Sequence, residues 1–462
     1  MAPAFFMVLA GRARLAHSWR AFVSGGIMIE LTADHLRDVV SWLEQDRPLA
    51  NQTVQQRARW IVLDTYGCVL AGLRAEPVRG IAKTFADHDA GPVMMGGAAG
   101  LSVLSAAQLF ATASCWDEAC EGHAGAHGRP ALAALAALYP LCRDKTLGGM
   151  LEALIVGYEV GARLGHALRI KKGMHVDGNW PALGAAVAAG HALGLTQDQM
   201  ITAVGIVACQ VPMSLYLPVR AGATSRNTYL GHAAVLGIQS AWSAMAGVTA
   251  PEGGLMDYAR IGLSRETVDW IGAGHYEILN GYLKPYAAVR HVHYGANAAQ
   301  ILRRGFAPEQ IERITLDIYE EATIYCGNRN PATPIQAQFS LSFGVAAALA
   351  FDRLDAEVYR AGLFDDPLLR HLEALVEIRI DPERTSRNAR GATVSVLVDG
   401  QWHTEAVDAV WGDKACPLTP RQVEDKFIAY ASPSLGDAQS REVARRILSA
   451  ELSTPMRDIW AV

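Results

Sequence analysis

The chain has 462 residues, of which 51% are hydrophobic and 19% charged, and its net charge is −5 at pH 7. This composition excludes a disordered, collagen-like or coiled-coil protein and predicts a large buried core. The slight acidic excess argues against a nucleic-acid partner, because nucleic-acid-binding domains are usually basic. The length corresponds to about three domains, or two large ones.

The first 27 residues differ from the rest. They contain Arg12, Arg14 and Arg20 and no acidic residue, which fits a mitochondrial-type leader or a weak secretory signal. A simpler alternative is an upstream start codon, with the protein beginning at Met28. We expect residues 1–27 to be disordered and leave them out of the fold prediction. The predicted location is cytoplasmic, or the mitochondrial matrix if the leader is real.

Helical patterns follow one another between residues 30 and 270. The first, "LTADHLRDVVSWLEQ", has a threonine cap before apolar residues at helical spacing. Later segments such as "SVLSAAQLFATASCW", "RPALAALAALYPLC" and "LEALIVGYEVGARLGHAL" are rich in small residues, which let helices approach closely. Thr196 to Gln199 predicts a capping box at the start of a further helix.

The pattern changes after about residue 275. Strands are predicted in "IERITLDIYEEA", "EALVEIRIDPE" and "GATVSVLVDGQWHTEAVDAV", with Asp399-Gly400 as a hairpin turn. One long helix is predicted in "IQAQFSLSFGVAAALAF", and the C-terminus returns to helix. The predicted fold is therefore mainly α with an α+β part: a large helical domain (28–279 plus 410–462) interrupted by a smaller α+β lid domain (280–409).

Several common functional motifs are absent. The sequence has no GxxxxGK[ST] loop, no GxGxxG after a strand, no HExxH and no GxSxG, which argues against nucleotide cofactors, zinc peptidases and common serine hydrolases. It has no apolar run of about 18 residues, so no membrane span is predicted. The seven scattered cysteines include no CxxC pair and predict buried thiols in a reducing compartment. Two histidine pairs, 123/127 and 291/293, lack the context of a metal site, so no metal is predicted.

Lysine is scarce, because seven of the 41 basic residues are lysine. An isolated lysine in an apolar segment is therefore a site candidate, and Lys284 in "LKPYAAVRHVHYGANAA" is the strongest. Tyr286, Arg290, His291 and His293 lie within the next nine residues, at the predicted domain junction where pockets tend to form. So many basic groups need an anionic ligand or acidic partners. The other six lysines are assigned to polar loops or helix faces.

Three further segments place ionisable residues among apolar ones. "SCWDEACEGHAGAHGRP" contains Asp117 and His127 and is either a solvated loop or an acid/base cluster. "KKGMHVDGNWPALGAA" places His175 and Asp177 before a helix start, where backbone N–H groups attract anions. Arg226 precedes another helix. Together the four segments predict a pocket for a small polycarboxylate, with groups able to act as base and acid, but they do not specify the reaction.

At these segments the chain resembles the MmgE/PrpD family, over about residues 30–460. The most specific similarity is the KPY…RH.H run, which begins at Lys284. The segment around His175, and Asp117 followed ten residues later by His127, also match the family pattern. Tyr325, fifteen residues before Ser340, matches a pocket tyrosine of the decarboxylase branch. The closing "GDKACPLTP" is similar as well.

The resemblance implies a helical domain with an α+β lid, a homodimer, no metal or organic cofactor, and proton abstraction next to a carboxylate. It also implies site residues. The implied catalytic residues are Asp117, His127, His175, Lys284 and Tyr325. The implied substrate-binding residues are Arg226, Arg290, His291 and His293.

The chain departs from the family pattern in the same segments. Arg226 stands where the family has a lysine, and arginine cannot act as a base but binds carboxylates as a fork. His127-Gly128 and Asp117-Glu118-Ala119 also differ from the usual runs. The first hypothesis is a hydro-lyase acting on a 2-methylcitrate-like acid. The alternatives are an epimerase or racemase of an imino- or aminodicarboxylate, a cis-aconitate-type decarboxylase, and an inactive carboxylate-binding protein.

Overall fold

The computed structural model describes residues 27–95, 98–360 and 362–460. Residues 1–26, which carry most of the predicted leader, lie outside the described residues. Ile27 already belongs to strand β1 (Ile27–Ile29), which pairs antiparallel with β5 (Val268–Trp270).

The first half of the described chain is built from helices that pack on one another. They are α1 (Ala33–Asp46), α2 (Gln52–Gly72), α3 (Glu76–His88), α4 (Val103–Cys115), α5 (Pro130–Leu141), α6 (Leu147–Ala167), α7 (Pro181–Leu193), α8 (Gln197–Ala208), α9 (Leu217–Ala221), α10 (Tyr229–Met245) and α11 (Gly254–Asp257). Helix α7 lies centrally against α5, α6, α8 and α10. Small residues permit this packing: a Cβ at Gly157 would lie 2.9 Å from the carbonyl oxygen of Gly184. The predicted capping box is confirmed, since Thr196 Oγ1 accepts from Gln199 N and Gln199 Oε1 accepts from Thr196 N.

Two short ribbons connect these helices. Strands β2 (Ala90–Met95) and β3 (Ala98–Leu101) form one ribbon. Strand β4 (Gly122–His123) pairs antiparallel with β6 (Gly281–Tyr282), which joins two segments far apart in sequence.

The second half contains a four-stranded sheet in the order β10-β9-β7-β8. Its strands are β7 (Ile311–Ile318), β8 (Val376–Ile380), β9 (Ala392–Val398) and β10 (Gln401–Val407). The helices of this region are α12 (Arg290–Leu302), α13 (Glu320–Cys326), α14 (Pro334–Gln338), α15 (Leu341–Phe351), α16 (Pro367–Leu375) and α17 (Pro382–Ser386). The predicted hairpin is confirmed, because Asp399 and Gly400 connect β9 to β10 with positive φ values of 49° and 74°, as a type I′ turn requires.

The C-terminal helices return to the first half, as the sequence predicts. They are α18 (Pro420–Leu435), α19 (Asp437–Ser449) and α20 (Met456–Ile459). Helices α18 and α19 pack against α2. The predicted fold class, mainly α with an α+β part, is confirmed. The proposed domain boundaries stay a prediction. No helix within the described ranges is long and apolar enough to cross a bilayer.

Three local predictions were wrong. The long helix predicted over "IQAQFSLSFGVAAALAF" is broken between α14 and α15, because extended Ser340 caps α15 through its hydroxyl, which accepts from Phe343 N. Cys209, predicted to be buried in an apolar segment, is exposed at the end of α8. Lys426, assigned with five other lysines to polar loops or helix faces and given no special role, is largely buried in an ion pair with Asp64.

Candidate active site

The starts of three helices meet at one place. Arg129 is the N-cap of α5, Asp177 lies four residues before α7, and Arg226 lies three residues before α10. Asp177 Oδ2 is 3.3 Å from Arg129 Nη1 and 3.1 Å from Arg226 Nη2. Helix N-termini favour negative charge. This site therefore suits carboxylates, and Asp177 is the first of two that the protein supplies.

The second carboxylate, Glu118, is the centre of a buried group that we call the inner cluster (Glu118, Arg129, Asp177, Arg226, Lys284). Glu118 is fully buried and forms ion pairs with Arg129, with Arg226 and, at 2.7 Å, with Lys284 Nζ. Burial opposes its charged form, yet these three cations hold the pKa of its carboxyl well below the usual range. The predicted cations Lys284 and Arg226 are thus brought together around a carboxylate of the protein itself.

The β4–β6 ribbon explains how the loop from 117 to 128 reaches Lys284. Gly122 pairs with Tyr282, two residues before Lys284, and a Cβ at Gly122 would lie 2.5 Å from the Tyr282 hydroxyl oxygen. The loop is strained at both ends, since Glu118 and His127 have φ values of 54° and 53°. Non-glycine residues in this region cost free energy and tend to occur at functional sites.

Two of the seven lysines hold consecutive carbonyl groups of this loop. Lys284 Nζ donates to Glu118 O at 2.9 Å, and Lys426 Nζ donates to Ala119 O at 2.7 Å. Lys426 also binds Asp64 Oδ1 at 2.5 Å. The loop is therefore fixed from two sides, by the segment before α12 and by the C-terminal helix α18.

A row of rings, the aromatic wall (His175, Tyr216, Tyr325, His291, Tyr319), extends from the inner cluster into the α+β part. His175 stacks on Tyr216 with ring centroids 5.9 Å apart, and Tyr216 meets Tyr325 edge to face at 5.5 Å. Tyr325 stacks on His291 at 5.9 Å, and His291 Nδ1 is 2.6 Å from the Tyr319 hydroxyl. The structure thus brings together the predicted residues His175, Tyr325 and His291.

Both histidines of the wall are held neutral. Burial, together with nearby Arg226, lowers the pKa of His175 to about 4. Burial and the positive charge of Arg390 lower the pKa of His291 to about 3. Tyr325 is 38% exposed, so the wall is open to solvent at this residue. At neutral pH the wall presents uncharged rings next to cationic groups.

Asp117 and His127, predicted to transfer protons, have different surroundings. Both carboxylate oxygens of Asp117 accept from Arg360 Nη2 at 2.6 Å, and burial raises its pKa although Arg360 opposes that shift. His127 has an exposed side chain, but the surrounding protein and the charges of Arg169 and Arg390 hold its pKa well below the usual value. A catalytic role for either residue stays a prediction.

Arg290 and His293, predicted to bind substrate, contact the protein. Arg290 pairs with Asp413, and its guanidinium lies 4.8 Å from the centroid of the Tyr282 ring. Arg290 also donates to His293 Nδ1 at 3.1 Å, while His293 Nε2 donates to the carbonyl of Ala288 at 2.9 Å. Both residues are buried and hold the start of α12 in place. Direct substrate contact by them stays a prediction.

Two family models match the chain, one in each half. The model of the MmgE/PrpD N-terminal domain matches residues 39–259, and the model of the MmgE/PrpD C-terminal domain matches residues 286–450. The chain belongs to the MmgE/PrpD family. In this MmgE/PrpD protein the inner cluster draws Arg129, Asp177 and Arg226 from the first matched region and Lys284 from the segment between the two.

Three curated relatives that match the chain share the name cis-aconitate decarboxylase. The cis-aconitate decarboxylase of Aspergillus terreus is 25% identical over 448 residues, which cover 87% of this chain and 90% of the relative. The cis-aconitate decarboxylase of Homo sapiens is 27% identical over 334 residues, covering 66% of this chain and 67% of the relative. That of Mus musculus is 25% identical over 328 residues, covering 66% of each.

Sequence reasoning gave no role to three residues that organise the site. Glu118 was counted only as one of several acids in its loop, and its central position depends on tertiary contacts. Arg129 could have been singled out from the sequence, because it directly precedes a predicted helix. A cation at a helix N-terminus is unfavourable unless a carboxylate compensates its charge. Lys426 is one of the same seven lysines as Lys284. It was not singled out, because it was assigned to a helix face.

Proposed function

We propose that this MmgE/PrpD protein is a lyase that acts on a small polycarboxylate and removes one carboxyl group as CO₂, with a cis-aconitate-like tricarboxylate as substrate. The observation that carries the proposal is the neutral aromatic wall, which begins at His175 next to Arg226 of the inner cluster. The names of the relatives support the same reaction type. A homodimer and a cytoplasmic location are part of the proposal on the family resemblance alone.

Decarboxylation places opposite demands on the two ends of the substrate. The carboxylate that leaves loses its charge, so an uncharged surrounding such as the aromatic wall favours its departure. The electron pair of the broken C–C bond remains on carbon and spreads toward a retained carboxylate. Nearby cations stabilise that developing charge. In this proposal the wall faces the leaving carboxylate, and the arginines and Lys284 provide the positive field.

The carbanion must then take up one proton. Burial raises the pKa of Tyr325, so its hydroxyl stays protonated at neutral pH and can donate to carbon. Its exposed position allows solvent to return the proton to the phenolate. A tricarboxylate with six carbons plus one proton thus yields a dicarboxylate with five carbons and CO₂, which balances atoms and charge.

Dehydration of a 2-methylcitrate-like acid, the first hypothesis from the sequence, fits this geometry less well. Loss of hydroxide needs a general acid beside the leaving oxygen. The histidines of the wall have strongly lowered pKa values and are uncharged at neutral pH. A proton donor as weak as tyrosine serves a carbanion better than a leaving hydroxyl group.

The test follows the purified protein by NMR in heavy water with cis-aconitate, 2-methylcitrate and an iminodicarboxylate in turn. We expect CO₂ and a singly deuterated five-carbon dicarboxylate from the tricarboxylate. Tyr325→Phe should lower kcat at least about 100-fold, while Tyr276→Phe, a buried tyrosine away from the wall, should keep the wild-type rate. Alkene formation from 2-methylcitrate without CO₂, or deuterium exchange without CO₂, would contradict the proposal and favour a dehydratase or an epimerase. No turnover and no exchange would favour a binding protein.

A further inference from the structure

A buried pair, His123 and Glu277, lies in the loop between Glu118 and Arg129 and in the segment before β6, and the proposed reaction does not use it. Both side chains of the pair are 3% exposed, and His123 Nε2 lies 3.0 Å from Glu277 Oε2. Because a buried carboxylate is costly without a partner, the two groups hold each other in place. In the sequence, His123 was considered only as half of a histidine pair without the context of a metal site.

Glu277 is itself fixed by helix α6. Its backbone N–H donates to Glu159 Oε2 at 2.9 Å, and the next N–H, that of Ile278, donates to Glu159 Oε1 at 2.8 Å. Glu159 lies within α6 and pairs with Arg163 one turn later. Burial opposes the charged form of Glu277, yet the contact with His123 lowers the pKa of its carboxyl to about 2. At neutral pH, Glu277 is therefore a carboxylate held in one position.

The contacts of the His123 ring define its tautomer. Its Nδ1 accepts from the backbone N–H of Ala126 at 3.0 Å. A ring whose Nδ1 accepts a hydrogen bond carries its hydrogen on Nε2, which here faces Glu277. A Cβ at Gly125 would lie 3.0 Å from His123 Cε1, because the loop folds directly over the ring. Glu277 thereby favours the tautomer that can accept from Ala126.

The backbone of His123 closes the same loop. Its N–H donates to the carbonyl of Gly128 at 2.8 Å, and the two residues form an isolated antiparallel bridge. The residue after Gly128 is Arg129, which reaches back from the closed loop to its ion pair with Glu118. The position of Arg129 in the inner cluster thus depends on loop 123–128, which both the ring and the backbone of His123 hold closed.

We propose that Glu277 is a positioning residue of the site: through His123 it holds loop 123–128 closed and thereby keeps Arg129 in the inner cluster. The inference rests on the proposed function only for its effect on turnover. In that reaction Arg129 is one of the cations that stabilise the charge developing on the substrate. Misplacing such a group by about 1 Å can lower the rate about 100-fold, so Glu277 affects kcat without touching the substrate.

Hydrogen exchange measured by mass spectrometry reports the closure of the loop without any substrate. A peptide covering loop 123–128 should exchange about 10-fold faster in Glu277→Leu than in wild type, because the loop loses a hydrogen bond. Glu277→Gln should remain close to wild type, since its amide oxygen can still accept from His123 Nε2. His275→Ala is the matched control and should leave the exchange unchanged. His275 Nε2 lies 2.7 Å from the other oxygen of Glu277, but its side chain is 50% exposed.

Turnover of cis-aconitate by the same variants tests the link to the reaction. We expect Glu277→Leu to lower kcat about 10- to 100-fold and to change KM less than about threefold, because the misplaced cation acts on charge that develops in the transition state. Glu277→Gln should restore most of kcat, which a loss of side-chain packing alone does not predict. If Glu277→Leu does not fold by circular dichroism, His123→Phe must give the same faster exchange and the same loss of kcat.

The outcomes separate this inference from the proposed function. Unchanged loop exchange in folded Glu277→Leu, a wild-type kcat in that variant, or equal losses in Glu277→Leu and His275→Ala would overturn the inference. Faster loop exchange in Glu277→Leu, together with no release of CO₂ by wild type, would contradict the proposed function and keep the inference. Release of CO₂ by wild type, with unchanged exchange in Glu277→Leu, would do the reverse.

Discussion

The inner cluster and three arginines elsewhere in the chain, Arg169, Arg265 and Arg390, differ in how their charges are paired. Every inner cation contacts Glu118, and two of them also contact Asp177. Arg390 has a longer and partly exposed pair, because its Nη2 lies 3.8 Å from Glu321 Oε2. Short buried ion pairs hold the chain in one conformation, whereas long, partly exposed pairs contribute little to stability. The same residue types thus fix the chain firmly in one region and only weakly in the other.

The largest expected effect comes from removing the centre of the inner cluster. Glu118→Gln keeps the shape of the side chain but leaves three buried cations facing Asp177 alone. Breaking a buried ion pair from one side costs about 3–5 kcal/mol, so we expect a loss of that size in the free energy of unfolding, measured with urea at pH 7. Glu383→Gln at the exposed surface is the control. A loss below about 1 kcal/mol would mean that the inner pairing contributes little.

A smaller loss is expected when the loop loses its second lysine contact. Lys426→Met should reduce the free energy of unfolding by about 2 kcal/mol, because Asp64 loses its ion-pair partner. Burial raises the pKa of the Asp64 carboxyl, and its protonation in the variant limits the loss. The double variant Lys426→Met with Asp64→Leu should be less destabilised than Lys426→Met, since no unpaired buried charge remains. Additive losses in the urea measurements would argue against a coupled pair.

The wall histidine next to the inner cluster should contribute to the pH dependence of stability. The pKa of His175 is about 4 in the folded state and near 6.5 in an unfolded chain. Between pH 6.5 and pH 4 the unfolded state binds a proton at His175 that the folded state does not bind. The free energy of unfolding therefore falls as the pH decreases toward 4. Glu121, whose pKa burial raises to about 8, acts with the opposite sign over the same range.

The contribution of His175 is therefore measured as a difference. His175→Gln should remove about 1 kcal/mol of the stability change between pH 7 and pH 5.5, determined from urea unfolding of both proteins at the two pH values. Identical pH dependence in wild type and variant would contradict the neutral, buried state of His175.

The smallest effect is expected at Arg265, whose Nε donates to the carbonyl of Arg169. Arg265→Gln removes a positive charge beside Arg169 and no ion pair, so stability should change by less than about 0.5 kcal/mol and can increase slightly. Added salt should stabilise wild type more than the variant, because it screens the repulsion that the variant lacks. A loss as large as that of Glu118→Gln would abolish the distinction between the paired inner cluster and these arginines.

Much of the fold follows from local patterns. Helix α8 with its capping box, the β9–β10 hairpin at Asp399-Gly400 and the change to strands near residue 311 could all be predicted, because each depends on residues close together in sequence. The break at Ser340 could not, since its hydroxyl also donates to the distant carbonyl of Asn328. Cys209 and Lys426 were misplaced because exposure at a helix end or helix face depends on what packs against it.

The candidate site divides in the same way. The amino-acid sequence alone predicted that Lys284, His175 and Tyr325 belong to one carboxylate pocket, because their residue types and spacing resemble a family pattern. Only the tertiary structure placed Glu118 among three cations and gave Arg390 a longer pair, at 3.8 Å, with Glu321. Charge pairing depends on distances of a few ångströms between side chains that are often far apart in sequence, such as Glu118 and Lys284, and local sequence carries no such distances. The residue types of each segment could therefore be read from the sequence, while packing decided which of the charged groups pair with one another.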